Sequence, residues 1–214
     1  MFALDCNNDF VCIKFGIPAL ICILIAPAAG QGQQDQLVGR WRSIAVSPSG
    51  LSTIFEFHGD NRLDSYSAVI ADEKYRLIGT DTILLQSGNG REEKQELEWD
   101  SQDRARIEDE AAGKKIELAR LGKKPDSKDP LVGEWSTTRE WNGRIYPARA
   151  LFVPDGKVVW ITTLRTERGR YSVQDKNVRL EIQGRPGVEG TFTVSGDRLT
   201  LTNPRGGESL FERF

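Results

Sequence analysis

The chain has 214 residues, of which 38% are hydrophobic and 28% charged, with a formal net charge of −2. That mixture is ordinary for a globular protein and too polar for a membrane protein with many spans. The near balance of charge excludes a bulk basic field of the kind that holds nucleic acid or an acidic membrane.

The N-terminus differs from the rest. Lys14 precedes the apolar run Phe15 to Ile25, interrupted only by Gly16 and Pro18, and the small residues Ala26, Pro27, Ala28, Ala29 and Gly30 follow. A positive charge, about a dozen apolar residues and a small-residue exit describe a secretory signal peptide, here residues 1–30. The run is shorter than the roughly 20 residues of a transmembrane helix. The expectation is a secreted or periplasmic protein with no stable membrane span after cleavage, or a membrane-anchored one if the segment is retained. Asp5 and Asp9, ahead of the lysine, depart from the usual pattern. Cys6, Cys12 and Cys22 all lie within this segment, so the mature chain has no disulfide and no thiolate nucleophile or metal ligand. Residues 31–36 form a short N-terminal extension.

An internal repeat follows. Leu37-Val38-Gly39-Arg40-Trp41 recurs as Leu131-Val132-Gly133-Glu134-Trp135. Phe55-Glu56-Phe57 parallels Leu151-Phe152-Val153. Tyr75 ahead of Ile83 and Leu85 parallels Tyr171 ahead of Val178 and Leu180. Each copy closes on an arginine, Arg120 or Arg213. The copies span 37–122 and 131–214. Between them, residues 123–130 hold two prolines and five charges, the composition of a solvated linker. Two copies are too few for a solenoid, so tandem domains are expected.

The second copy reads as β throughout. In Val178-Arg179-Leu180-Glu181-Ile182 apolar and charged residues alternate strictly, the period-two mark of a half-buried strand. Asp155-Gly156 and Gly196-Asp197 supply tight turns. Eight strands are expected near 131–139, 144–153, 157–165, 168–173, 177–183, 188–194, 197–202 and 207–213. In the first copy, 91–121 is rich in helix formers. Leu97 and Trp99 nevertheless alternate with Glu96, Glu98 and Asp100, and the segment aligns with 188–213, so strand is the expectation. The fold class is all-β: two tandem small antiparallel up-and-down β-barrels of about eight strands each.

A Gly-x-Trp opening, an eight-strand meander and an arginine on the last strand resemble the lipocalin-like, calycin-type barrels over nearly all of each copy. The resemblance implies that Trp41 and Trp135 plug the closed end of each barrel, that Arg120 and Arg213 lie across those indole faces, and that Gly39 and Gly133 let the chain bend closely there. An arginine over a tryptophan ring gains about 0.5–2 kcal/mol. Each copy is only about 85 residues, shorter than lipocalins proper, and has neither a Thr-Asp-Tyr turn nor a C-terminal helix.

No catalytic or metal set stands out. His58, the single histidine, has the parity opposite to Phe55 and Phe57 and reads as a turn residue facing outward. Without cysteine or a second histidine, zinc sites of the nitrogen–sulfur kind are excluded. No Gly-x-Ser-x-Gly or phosphate-binding glycine loop is present. No cofactor is expected.

Tyr146, Ala148, Ala150 and Phe152 share one strand face, and Val158, Trp160, Thr162 and Leu164 share the next. Small residues among aromatics open a pocket wall or let the aromatics interdigitate in a filled core. Tyr146, Phe152, Trp160 and Leu164 are the candidate ligand-binding residues. The copies also differ in charge, with 12 Lys and Arg against 16 Asp and Glu in 37–122, and 13 against 10 in 131–214. The function expected is a non-enzymatic exported binding protein for a small apolar molecule in a barrel mouth. The alternative is a structural or interaction module of the cell envelope, with filled barrels and an envelope protein as partner.

Overall fold

A computed structural model describes residues 31–47, 50–109 and 113–214. The expected signal segment, residues 1–30, lies outside the described residues. A short helix, α1 (Gln31–Leu37), leads into fourteen strands: β1 (Gly39–Ser43), β2 (Leu51–Phe57), β3 (Arg62–Ile78), β4 (Thr82–Gln86), β5 (Glu92–Ser101), β6 (Arg104–Asp109), β7 (Lys114–Leu121), β8 (Gly133–Trp141), β9 (Arg144–Val153), β10 (Lys157–Gln174), β11 (Asn177–Ile182), β12 (Val188–Ser195), β13 (Arg198–Thr202) and β14 (Glu208–Arg213). The chain is all-β, as its alternation requires. Within 91–121 the described elements are the strands β5, β6 and β7 and not a helix, because the buried Leu97, Ala105, Ile107 and Leu118 need a period of two, not 3.6, to reach one core.

All fourteen strands belong to one antiparallel ring, closed by β1 against β14. The ring is uneven, because β3 and β10 also pair with each other across it, from Lys157 opposite Lys74 to Arg170 opposite Arg62. This ribbon pinches the ring into two lobes. The first lobe is walled by β1, β2, the start of β3, the end of β10, and β11 to β14. The second is walled by the end of β3, β4 to β9, and the start of β10.

This corrects the picture of each copy closing its own cylinder on a separate sheet. The first-lobe core joins Trp41, Phe57 and Leu63 of the first copy to Tyr171, Phe192, Leu199 and Phe211 of the second. The second-lobe core joins Tyr75, Ile83, Leu97 and Ile107 to Trp135, Phe152 and Trp160. Strand length is the physical cause. The 17 residues of β3 contain no Gly, Pro or Asn to turn the chain. At about 3.3 Å per residue, such a strand runs on from one lobe into the other. The segments expected as separate strands at 157–165 and 168–173 are likewise one strand, β10, with a register shift between Thr163 and Arg165 in place of a turn. That bulge moves the inward face from Trp160 and Thr162 to Tyr171 and Val173, so β10 serves both interiors. Gly169 is needed within it: a Cβ there would collide with the backbone oxygen of Glu181 on the neighbouring strand.

The outer face of the ribbon is also covered. Ile54, Ala68, Val159 and Ile161 form a third cluster, against which Tyr66, Leu151 and Phe214 pack. Beside it lies a polar network. Arg40 meets Glu134 at 2.6 Å and Glu56 at 3.2 Å, and Arg149 meets Glu134 at 3.0 Å. The Tyr66 hydroxyl donates to Glu56 at 2.9 Å, and its pKa is pushed up to about 12 by burial and by that carboxylate. Burial pushes the Glu56 carboxyl upward, but the Arg40 charge and the bonds from Tyr66 and Arg40 outweigh it and hold the pKa below the usual range. A depressed carboxylate stabilises the fold above its unfolded pKa, about 4.3, and that contribution is lost as pH falls through the folded value. Glu56→Gln should therefore flatten the dependence of melting temperature on pH between about 5 and 3. An unchanged slope would mean that other carboxylates control the acid limb.

Candidate functional site

The repeated residues meet across copies. The Arg120 guanidinium lies 4.0 Å from the Trp135 ring centroid, and the Arg213 guanidinium 4.2 Å from that of Trp41. Each indole donates from Nε1 to a carbonyl four residues back, Trp41 to Leu37 and Trp135 to Leu131, both at 2.7 Å. Each arginine also donates to two carbonyls of the segment before the tryptophan. Arg120 bonds Val132 at 2.9 Å and Pro130 at 2.6 Å, and Arg213 bonds Val38 at 2.8 Å and Gln36 at 2.9 Å. Gly39 and Gly133 have φ of 129° and 124°, and a Cβ on them would lie 2.5 Å from Arg213 Nη1 and 2.8 Å from Arg120 Nη1. Glycine is thus required twice over, by dihedral angle and by space.

Of the four candidate ligand-binding residues, the structure puts two together in a packed core and two apart from it. Phe152 and Trp160 are each 1% exposed and pack edge to face in the second-lobe core, with centroids 5.9 Å apart. Phe152 also meets the Tyr75 ring at 4.9 Å. Trp160 donates to Glu73 Oε2 at 2.8 Å, and the Arg139 guanidinium sits 5.0 Å from its ring centroid. Burial lowers the Arg139 pKa, only partly offset by the charge of Glu73. Tyr146 and Leu164 are half-buried on β9 and at the bulge of β10, apart from that core cluster. The small residues Ala148 and Ala150 are buried, the packing arrangement rather than the open wall.

The better cavity opens at the mouth of the first lobe. It has a volume of 370 Å³, and Phe55, Leu180, Ile182, Leu201 and Phe211 line it, with Ser209 at its rim. These side chains come from β2, β11, β13 and β14, all pointing inward by the period of two. Phe55 and Phe211 lie 5.3 Å apart between centroids and floor the cavity above Phe57 and Tyr171. Alternation marks these residues as inward-facing, but the same signal marks every core residue. The usable clue is the set of small or short polar residues Thr53, Gly190 and Ser209 around the same space.

His58 lies on the outer face, with Nε2 3.0 Å from Asp64 Oδ2. Glu56, His58 and Asp64 place one potential ligand atom each within 4.8 Å of one another, but Glu56 is held by Arg40 and Tyr66. Arg165, in the arginine-rich second copy, pairs with Glu167 at 2.9 Å. No known protein family matches the chain, and no curated protein matches it either.

Proposed function

We propose that this protein is a non-enzymatic binder of a small, mostly apolar molecule, held in the mouth of the first lobe. The carrying observation is the 370 Å³ cavity lined by Phe55, Leu180, Ile182, Leu201 and Phe211. Its size falls in the roughly 300–1,000 Å³ range of small-molecule sites. Burial of a ligand there is driven by apolar area at about 25 cal/mol per Å². Each lobe reads as a small up-and-down barrel of the lipocalin-like kind, the two sharing the β3–β10 ribbon as a common wall. The arginine-capped tryptophans serve as the floor of each barrel. The N-terminal Lys14-to-Gly30 pattern supports export to the periplasm or the cell exterior.

Native mass spectrometry of the purified protein against a panel of fatty acids and other small apolar molecules tests the reading. The expected result is a one-to-one adduct. Ser209→Trp places an indole at the exposed rim of the cavity. It should weaken binding at least tenfold and leave the melting temperature within about 2 °C, as expected of a surface substitution. Binding unaffected by Ser209→Trp would remove the mouth as the site. A second reading, an envelope interaction module, rests on the filled second lobe around Trp135, Phe152 and Trp160. It is favoured if the panel gives no adduct and a stable protein partner is recovered.

A further inference from the structure

The closed end of the second lobe carries a groove that the apolar-ligand reading does not use. Its volume is 840 Å³, and it runs between the linker at Lys124 to Pro130 and the turns at Gly79, Gln102 and Gly156. Trp99 and Leu77 give it an apolar floor. Trp99 lies outside Trp135, its ring tilted by 59° with centroids 6.1 Å apart, Trp135 lies under Arg120, and the Trp99 Nε1 donates to the Thr80 carbonyl at 3.1 Å.

The side chains that line the groove carry three positive charges against one negative, within a chain of net charge −2. Arg76, Lys124 and Lys128 line it, and among the described residues the side chain of none of them makes an ion pair or a hydrogen bond. Its single lining carboxylate, Asp129, accepts from the Tyr75 hydroxyl at 2.7 Å and from the Leu131 backbone at 2.8 Å. Burial, and after it the bond to Asp129, raise the Tyr75 pKa above the usual phenol range.

The other lobe provides an internal comparison. Its matching end is overlaid by α1, with Gln34 Nε2 donating to Asn61 Oδ1 at 2.6 Å. By strand register the position of Trp99, opposite Ala105, corresponds to Val194, opposite Leu199. The position after Tyr75 is Arg76, whereas the position after Tyr171 is Ser172. The indole and the arginine are thus features of this groove and not requirements of the repeated fold.

We propose that the groove binds a small organic anion with a flat aromatic body, the body against Trp99 and the acid group among Arg76, Lys124 and Lys128. Such a site combines aromatic stacking with a cluster of cations, whereas the mouth of the first lobe has one lining cation, Arg185, and that pairs with Glu167. The test is titration of the full chain with 2-naphthoate, followed by the NMR shift of the Trp99 indole N–H, which is assigned by its loss in Trp99→Phe. The expected result is a saturable shift of that signal. Lys124→Glu with Lys128→Glu should weaken binding at least tenfold, neutral 2-naphthamide should bind at least tenfold more weakly than the acid, and Ser209→Trp should change nothing. The charge-reversed residues are exposed, so the variant is expected to fold as the parent does. A Trp99 signal that does not move, equal binding of acid and amide, or loss of binding in Ser209→Trp would each overturn the proposal.

Discussion

Trp135→Ala should lower the melting temperature by roughly 6–20 °C while the protein still unfolds in a single transition. Trp135 is fully buried, and its indole carries both the bond to Leu131 and the face on which Arg120 lies. Truncating a buried tryptophan costs about 3–5 kcal/mol, and each kcal/mol shifts a protein of this size by about 2–4 °C. The single transition is the more pointed part of the expectation. If the copies were tandem units, damage at Trp135 would melt one and spare the other. Here β3 and β10 run through both interiors, so neither lobe can open without breaking strands of its neighbour. Trp41→Ala should behave alike, since Trp41 is as buried and as capped. Scanning calorimetry checks both. Two separated transitions, one at the parent temperature, would mean that the lobes are energetically independent.

Ala68→Pro should abolish folding altogether. Ala68 is fully buried and stands between Ser52 of β2 and Thr163 of β10, with strands hydrogen-bonded on both sides. Proline removes the backbone donor and adds a ring where there is no room, and it is found in sheets only at edges, strand starts and bulges. Alanine at this place also lies against Ile54, Val159 and Ile161, the cluster behind the ribbon. The expected readout is loss of the β circular-dichroism signal and of any cooperative melt. A folded, cooperatively melting variant would show that the ribbon is dispensable.

Much of this fold was legible in single residues. The strands expected near 177–183 and 197–202 are placed by the structure at Asn177–Ile182 and Arg198–Thr202. Leu97, Trp99, Ile116 and Leu118 correctly outweigh the helix-forming composition around them, because burial of one face decides a marginal propensity. The strand exchange was not legible. A period of two says which face a residue presents, and it is the same whether the strand pairs within its own copy or with the other. The absence of Gly, Pro and Asn between Asn61 and Gly79 was the available sign of a strand long enough to cross. The packing of Phe152 and Trp160 was not legible for a related reason. Phe152 and Trp160 look alike in sequence whether they rim a void or fill it, and only the facing Tyr75 and Arg139 show that they fill it.

The fourth residue of the repeated Leu-Val-Gly-x-Trp string is Arg40 in one copy and Glu134 in the other, and these two touch at 2.6 Å. Two identical halves would set like charge against like at such a self-facing spot, as any symmetric contact must. The single difference therefore makes the halves complementary rather than interchangeable. A first half repels another first half and accepts only a second one, which favours assembly within one chain over mispairing between two.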